Sequence, residues 1–214
     1  MDVNIILDKL PDKVEIGGKE YQIYSDFRTS ILFETMMRSR LSDREKLTQM
    51  LRIYYPVIPK ETGEAIKKAM WFYSCGKEQQ ESQEKQNRTR QEFQKHRVSY
   101  SFEQDAPYIY AAFRKEYGIN LQTIPSASLH WWEFNALFDS LPEDCRIKKI
   151  MYWRTCDITG MSRKEVQRIN ELRKYYELKD DLSCNVKVSL AQRNQKMKDY
   201  VQKRFQEVNQ HVKT

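Results

Sequence analysis

The alternation of apolar and polar residues near the start of the chain predicts one short β-hairpin. Residues 13–24, KVEIGGKEYQIY, alternate on both sides of the dipeptide Gly17-Gly18. Two consecutive glycines tolerate the positive φ angles that a tight two-residue hairpin turn needs. We therefore expect the two halves of this stretch to pair as antiparallel strands.

Helical periodicity and helix-start signals follow the hairpin. Asp26 is placed to cap a helix that runs to about Arg40. Ser42 and Glu45 have the spacing of a capping box, in which each side chain bonds the other residue's backbone N–H, and they predict a second helix. A third helix is expected to end at Gly76.

The second half of the chain repeats the same signals. A helix is predicted over 106–117, with Asp105 as its N-cap and Gly118 at its end. Two more helices follow, from LHWWEFNALFDSL and from EDCRIKKIMYWRTCD, and Ser162 with Glu165 makes another capping box. The fold class is therefore mainly α, a helical domain with a short N-terminal hairpin and a C-terminal amphipathic helix.

The stretch LHWWEFNALFDSL, residues 129–141, is predicted to be the central packing helix. On a helical wheel its large apolar residues fall on two nearly opposite sides, with Leu129, Trp132 and Ala136 forming the smaller side. A helix that is apolar on two sides is buried on two sides. Together with the 106–117 helix it supplies the predicted core residues, which are Ile109, Phe113, Trp131, Trp132, Phe134 and Phe138.

Composition divides the chain into four segments. Residues 1–76 and 99–180 are read as the first and second parts of one helical domain. Between them, 77–98 has a single large apolar residue, Phe93, and is interpreted as a polar linker or an exposed helix. The last segment, 181–214, is interpreted as a basic amphipathic helix.

A narrow apolar stripe runs through this last segment and predicts a partner. The stripe residues recur at helical spacing in an otherwise charged stretch. They are the hypothesised partner-binding residues Leu190, Met197, Val201, Phe205, Val208 and Val212. The stripe fits another helix of this chain, a second copy or a different protein.

Charge and cysteine content narrow the class of protein. The chain has 37 Lys or Arg and 30 Asp or Glu, a net charge of +7, and residues 185–214 carry seven basic residues against two acids. The four cysteines form no C-x-x-C pair, so we expect reduced thiols. No leader-like start and no run of eighteen apolar residues occurs, so we expect neither secretion by signal peptide nor a membrane span.

Sequence signals for catalysis are poor. The chain contains no G-x-S-x-G, no phosphate-binding glycine-rich loop and no H-E-x-x-H. His130 is weighed as a base or metal ligand, but a buried imidazole that bonds the backbone is commoner. We therefore expect no enzyme activity, no cofactor and no metal.

One local pattern competes as a DNA-binding motif. Residues 156–176 place small and apolar side chains at spacings typical of a helix-turn-helix, with Arg163, Lys164 and Arg168 on the second helix. A plain turn between two helices produces much of the same pattern. A DNA-binding regulator is thus the alternative, although nucleic acid is not the expected partner.

Three long strings resemble a known family. In chain order they are LPDKVEIGGKEYQIYSDFRTSI, YSFEQDAPYIYAAFRKEYGINL and LHWWEFNALFDSLPEDCRIKKIMYWRTCDI. They resemble the "Gp-fifteen" family of tailed phages and prophages of Gram-positive bacteria, over roughly residues 10–180. Such long strings are much more specific than a short motif.

The resemblance implies a role in building the tails of phages with long non-contractile tails. Family members are encoded just upstream of the tape-measure protein, where tail assembly chaperones are usually encoded. We therefore expect a non-enzymatic chaperone that binds the tape-measure protein and tail-tube subunits in the cytoplasm of the bacterial host. Self-association around the client and a structural place in the virion tail are left open.

Overall fold

The computed structural model describes residues 3–76 and 99–179, which form seven helices and one two-stranded antiparallel sheet. The mainly helical fold with an N-terminal hairpin is thereby confirmed. In chain order the elements are β1 (Lys13–Ile16), β2 (Lys19–Gln22), α1 (Phe27–Met37), α2 (Asp43–Tyr54), α3 (Thr62–Tyr73), α4 (Ala106–Tyr117), α5 (Trp131–Asp139), α6 (Arg146–Thr155) and α7 (Arg163–Tyr175).

Two predicted segments lie outside the described residues. They are the polar stretch 77–98 and the C-terminal segment, whose stripe is Leu190, Met197, Val201, Phe205, Val208 and Val212. What the sequence suggests for both therefore stays a prediction.

The hairpin forms where the glycine pair predicts it and is attached to helix α3. β1 and β2 pair antiparallel without a bulge. Gly17 and Gly18 have φ angles of 56° and 71°, as the two-residue turn requires. Val14 and Ile16 are buried, and the N–H of Gly17 donates to Glu64 Oε2 at 3.0 Å. The hairpin therefore packs one face on the helices.

Both predicted capping boxes are present. Ser42 and Ser162 each accept a hydrogen bond on Oγ from the backbone N–H of Glu45 and Glu165, and each donates its own N–H to that glutamate at 2.9 Å. The serine hydroxyl, followed by the serine backbone N–H, lowers the pKa of both carboxyl groups. Helices α2 and α7 consequently begin where the sequence predicts.

The N-termini of α1 and α5 lie side by side and complete each other's hydrogen bonding. The N–H of Phe27, the first residue of α1, donates to the carbonyl oxygen of Leu129 at 3.2 Å. The N–H of Trp131, the first residue of α5, donates to the carbonyl oxygen of Ser25 at 2.8 Å. Two donors that a helix start leaves unpaired are thus satisfied within the protein.

Stacked aromatic rings fill the core around α5. The ring of Phe134 is fully buried and lies 5.0 Å from Phe27, 4.8 Å from Phe113 and 5.7 Å from Trp131, measured between centroids and with nearly parallel planes. The residues that the sequence assigned to the core are all at most 4% exposed: Ile109, Phe113, Trp131, Trp132, Phe134 and Phe138. Helices from both described ranges therefore share one core.

The two tryptophans also close the carboxyl end of α3. Trp131 Nε1 donates to the carbonyl oxygen of Tyr73, and Trp132 Nε1 to that of Phe72, each at 2.8 Å. The last carbonyls of a helix have no hydrogen-bond donor within the helix. The two indole N–H groups donate to them instead. Gly76 lies against the second indole: an added Cβ would come within 2.9 Å of Trp132 Cη2.

Three predicted helix boundaries or faces need correction. α5 spans Trp131–Asp139 and not 129–141, because His130 has extended backbone angles and caps the helix. Ala136, placed by the wheel on a buried side, is exposed. α1 ends at Met37 and not near Arg40, because the chain turns after it with a serine hydroxyl bonded to the carbonyl of Met36.

Removing the indole N–H of Trp131 tests its role at the end of α3. In Trp131→Phe the carbonyl oxygen of Tyr73 loses its short hydrogen bond, so we expect a loss of about 1–3 kcal/mol in the free energy of unfolding. Trp131→Ala should cost about 3–5 kcal/mol because it also leaves a cavity. Urea denaturation followed by circular dichroism measures both.

The control is Tyr152→Phe, at a half-exposed position, which is expected within about 0.5 kcal/mol of the parent. Equal stability of Trp131→Phe and that control would contradict the assignment.

Candidate functional site

A buried ion pair joins the start of α4 to the end of α6. Nη1 of Arg154 lies 2.6 Å from Asp105 Oδ2, and Nη2 lies 2.9 Å from Oδ1. This is the two-bond fork that arginine forms with a carboxylate. Because Arg154 is 8% and Asp105 2% exposed, each charge depends on the other for compensation.

The same guanidinium bonds two more segments. Nε of Arg154 donates to the carbonyl oxygen of Tyr176 at 2.7 Å, and Nη1 to that of Ser99 at 3.0 Å. The N–H of Ser101 donates to the carboxylate of Asp105 at 2.9 Å. This network, which we call the Arg154 hub, ties both ends of the described range 99–179 to α6.

The hub corrects the role predicted for Asp105. Its carboxylate makes no capping bond to α4, although it occupies the N-cap position. The buried guanidinium takes the carboxylate because a charged two-bond pair is stronger than one bond to a backbone N–H. The sequence does carry a signal: Arg154 continues the buried stripe of Ile147 and Ile150 at helical spacing, where an apolar residue is expected.

Helix α7 is attached to α6 by polar and aromatic contacts at its carboxyl end. Arg173 donates from Nε to the carbonyl oxygen of Trp153 at 2.8 Å and from Nη2 to that of Cys156. The ring of Tyr176 stacks on Trp153 with centroids 5.5 Å apart. No residue of α7 itself is buried. The helix is therefore held at one end and open to solvent over much of its surface.

An open surface region of about 490 Å³ lies along one face of α7. Basic side chains lie at its two ends, with one apolar residue, two amides and one carboxylate between them. It is lined by Arg163, Val166, Gln167, Asn170, Glu171 and Lys174. We call it the α7 face.

The three basic residues considered for DNA binding lie on this helix. Arg163, Lys164 and Arg168 are all exposed. Val166 and Ile169, which a helix-turn-helix would use for packing, are half-buried. The helix–turn–helix connectivity is present, and DNA contact by these residues stays a prediction.

His130 acts as the N-cap of α5. The N–H of Trp132 donates to Nδ1 at 3.1 Å, so the neutral ring carries its proton on Nε2, which lies 3.1 Å from the carbonyl oxygen of Pro11 and donates to it. Burial lowers the pKa of the imidazole, and the hydrogen bond to Pro11 and the nearby Glu133 and Asp12 oppose this effect. The ring thus links the segment before β1 to α5.

Buried tyrosine hydroxyls are paired. The hydroxyls of Tyr54 and Ser30 lie 3.0 Å apart, and Tyr73 donates to Glu34 Oε2 at 3.0 Å. Burial raises the pKa of both phenols above their ordinary value, so they remain protonated at neutral pH. Within residues 3–76 and 99–179 we find no cluster of three or more His, Cys, Asp or Glu arranged to hold a metal ion.

None of the helices in the described ranges is long and apolar enough to cross a membrane.

Comparison with known proteins gives one family. The family described as Bacteriophage Gp15 protein matches residues 6–178, which is most of the chain and nearly all of the part described above. No curated protein and no solved structure matches. The match supports a phage structural or morphogenesis protein.

Arg154→Met tests the hub. It leaves the buried Asp105 carboxylate without its cation, so we expect the free energy of unfolding to fall by about 3–5 kcal/mol. Arg154→Met/Asp105→Leu should lose less than this because no isolated charge remains buried. The exposed Arg168→Met is the control, expected within about 0.5 kcal/mol. Thermal and urea unfolding measure the stability of all three variants. If Arg154→Met is as stable as Arg168→Met, the ion pair is dispensable.

The lowered pKa of His130 predicts a pH dependence. The unfolded chain binds the imidazole proton near pH 6.5 and the folded chain only at lower pH, so this contribution to stability is full above about pH 6.5 and declines as pH falls through the folded pKa. His130→Asn keeps a side chain suited to the N-cap and removes the titration. We expect the urea midpoint of the parent to fall more than that of His130→Asn between pH 7 and pH 5. Parallel curves for the two proteins would contradict the assignment.

Proposed function

Because the chain belongs to the Bacteriophage Gp15 protein family, we propose that it is a non-enzymatic tail-assembly chaperone that binds the tape-measure protein and tail-tube subunits. It acts in the cytoplasm of the bacterial host while the tail is built. The observation that carries the proposal is the family match over residues 6–178. That match supports a phage morphogenesis role, and the chaperone role is our extension of it.

Exposed apolar side chains in the described part favour protein contact. Ile6 and Leu7 are 87% and 80% exposed. They lie in an ordered turn, in which the N–H of Asn4 donates to Asp8 Oδ2 at 2.8 Å. Neighbouring apolar residues at this exposure are typical of interaction surfaces. Contact with a long apolar client would bury these two side chains.

The C-terminal segment is the proposed client-binding element. The described part ends at Lys179, whose backbone N–H and carbonyl both bond the side chain of Gln104. The C-terminal segment lies beyond the family match. Its sequence combines the apolar stripe 190–212 with an excess of basic residues. An amphipathic helix of this kind suits a client that presents its own amphipathic helices.

Deleting residues 185–214 tests this assignment. The parent, co-expressed with the tape-measure protein encoded beside it, should keep that protein in the supernatant after centrifugation. We expect the truncated chain to lose most of this effect while its helical unit remains folded by circular dichroism. Undiminished solubilisation by the truncated chain would contradict the assignment.

Point variants separate the apolar stripe from the polar positions beside it. Val201→Ser/Phe205→Ser/Val208→Ser removes three stripe residues, and Gln202→Ser/Gln206→Ser/Asn209→Ser makes three substitutions at the polar positions that follow them. If the stripe contacts the client, the first variant loses solubilisation and the second retains it, because only apolar burial contributes much there. If both variants solubilise the tape-measure protein equally well, the stripe does not contact the client.

A DNA-binding regulator is the second candidate. It is favoured by the exposed Arg163, Lys164 and Arg168 on the helix that follows the α6–α7 turn. Sequence-specific binding to duplex DNA with steep salt dependence would support it against the chaperone. Detection of the protein in purified mature virions would instead support a structural tail component.

A further inference from the structure

The imidazole of His130 contacts three parts of the chain. Nδ1 accepts a hydrogen bond from the N–H of Trp132 in the first turn of α5, and Nε2 donates to the carbonyl oxygen of Pro11, before β1. The ring is edge-to-face with Phe72, near the end of α3, at 5.4 Å between centroids. One half-buried side chain therefore holds the start of α5 against two other segments.

The two ring nitrogens need opposite protonation states. The bond to Pro11 requires a proton on Nε2, and the bond from Trp132 requires a free lone pair on Nδ1. Only the neutral ring with its proton on Nε2 satisfies both. A second proton, on Nδ1, is directed at the N–H of Trp132 across 3.1 Å between the two nitrogens, so this bond is lost. The bond to Pro11 is kept because Nε2 remains a donor.

The other hydrogen bonds described at the start of α5 are already made and do not replace this cap. The N–H of Trp131 donates to the carbonyl oxygen of Ser25 at 2.8 Å, and Glu133 Oε2 accepts the backbone N–H of His130 at 2.9 Å. A half-turn of the ring about its Cβ–Cγ bond moves Nδ1 away from Trp132. Protonation therefore leaves the N–H of a residue that is 4% exposed without its acceptor, which destabilises the first turn.

The first turn of α5 also carries the hydrogen bonds to the end of α3. The two residues directly after the cap, Trp131 and Trp132, donate from their indoles to the carbonyl oxygens of Tyr73 and Phe72, each at 2.8 Å. We call the His130 cap and these two bonds the α3–α5 junction. A change at the cap reaches α3 because the turn that the cap stabilises also positions both indoles.

Charged groups near the ring act in opposite directions on its proton. Burial is the largest effect and lowers the pKa of His130, whereas the carbonyl of Pro11 and the carboxylates of Glu133 and Asp12 act to raise it. Asp12 is paired with Lys9 at 3.1 Å, so part of its charge is compensated. The neutral ring therefore prevails at pH 7, and acidification supplies the second proton.

The elements on the other sides of the ring are aromatic or already paired. On the side of α3 the ring contacts Phe72, which carries no charge. On the side of α1 the backbone of Asp26 lies opposite that of His130 in an isolated β-bridge, and the Asp26 carboxylate is 3.2 Å from Arg28 Nη1. His130 is therefore the group at this junction whose ordinary pKa lies between pH 5 and pH 7.5.

We propose that His130 is a proton-sensitive latch on the α3–α5 junction. Protonation of Nδ1 removes the cap, loosens the first turn of α5 and weakens the indole bonds to α3. The opening stays local because the stacked rings of Phe134, Phe27 and Phe113 are buried independently of the cap. The latch is a property of the fold and does not depend on the proposed function.

Nuclear magnetic resonance of the full-length chain, labelled with nitrogen-15, tests the latch between pH 7.5 and pH 5. The shifts of the ring nitrogens report which one carries the proton, and hydrogen exchange reports opening at the Trp132 amide and at the indoles of Trp131 and Trp132. The amide of Ile150, fully buried in α6, is the internal control. His130→Asn, and His130→Ser as a second variant, keep a good N-cap without the titration.

In the parent we expect the proton on Nε2 at pH 7.5. The protection of the Trp132 amide, corrected for the intrinsic exchange rate, should fall about tenfold between pH 7.5 and pH 5, and the protection of both indoles should fall with it. In the two variants these values should change less than about twofold. The amide of Ile150 should keep its protection in all three proteins.

Three outcomes overturn the inference. A proton on Nδ1 at pH 7.5 would mean that the ring does not cap α5. Equal loss of protection at Trp132 in the parent and in the variants would show that the opening does not depend on His130. Equal loss at Ile150 and at Trp132 in the parent would show that acid unfolds the whole chain and not the junction.

Discussion

The indole N–H groups of Trp131 and Trp132 terminate α3, and the rest of the structure depends on this contact. The carbonyl oxygens of Tyr73 and Phe72 belong to the first described range, whereas the tryptophans belong to the second. Both side chains are also buried: Trp131 stacks on Phe134, and Trp132 packs against Phe72. A single short stretch therefore satisfies a helix end and fills the core, and this joins residues separated by the 77–98 stretch into one packed unit.

A second constraint, the Arg154 hub, fixes the position of α7, in which no residue is buried. Arg154 holds α4, α6 and the backbone of Tyr176 through the Asp105 pair and two carbonyl bonds. Because α7 contributes no buried residue, its placement depends on this hub and on Arg173. The apolar core thus positions one set of helices, and guanidinium bonds from Arg154 and Arg173 position α7.

Local chemistry explains which elements the sequence predicts well. The Gly17-Gly18 turn and the two serine–glutamate capping boxes involve residues at most three positions apart, so their geometry is encoded in the spacing. Asp105 and Arg154 are 49 positions apart. Their pairing depends on how α4 and α6 pack, which no local pattern reports.

The start of α5 also depends on residues that are distant in the sequence. A histidine is an uncommon cap, and His130 takes this place because Pro11 and the N-terminus of α1 lie beside it in the folded chain. Because Leu129 lies before the helix, the wheel drawn over 129–141 counted it toward a second apolar side and placed Ala136 on that side. A capping residue within an apolar run is hard to distinguish from the first residue of the helix when the neighbouring chain is unknown.

The number of copies bound per tape-measure protein tests the chaperone account most directly. The complex formed on co-expression can be separated by size exclusion and its mass determined by light scattering, first with the full-length tape-measure protein and then with one shortened by internal deletion. A chaperone that coats its client predicts several copies and a number that falls in proportion to the length removed. A tape-measure protein that stays insoluble while this chain elutes alone, or a copy number independent of client length, would contradict the account.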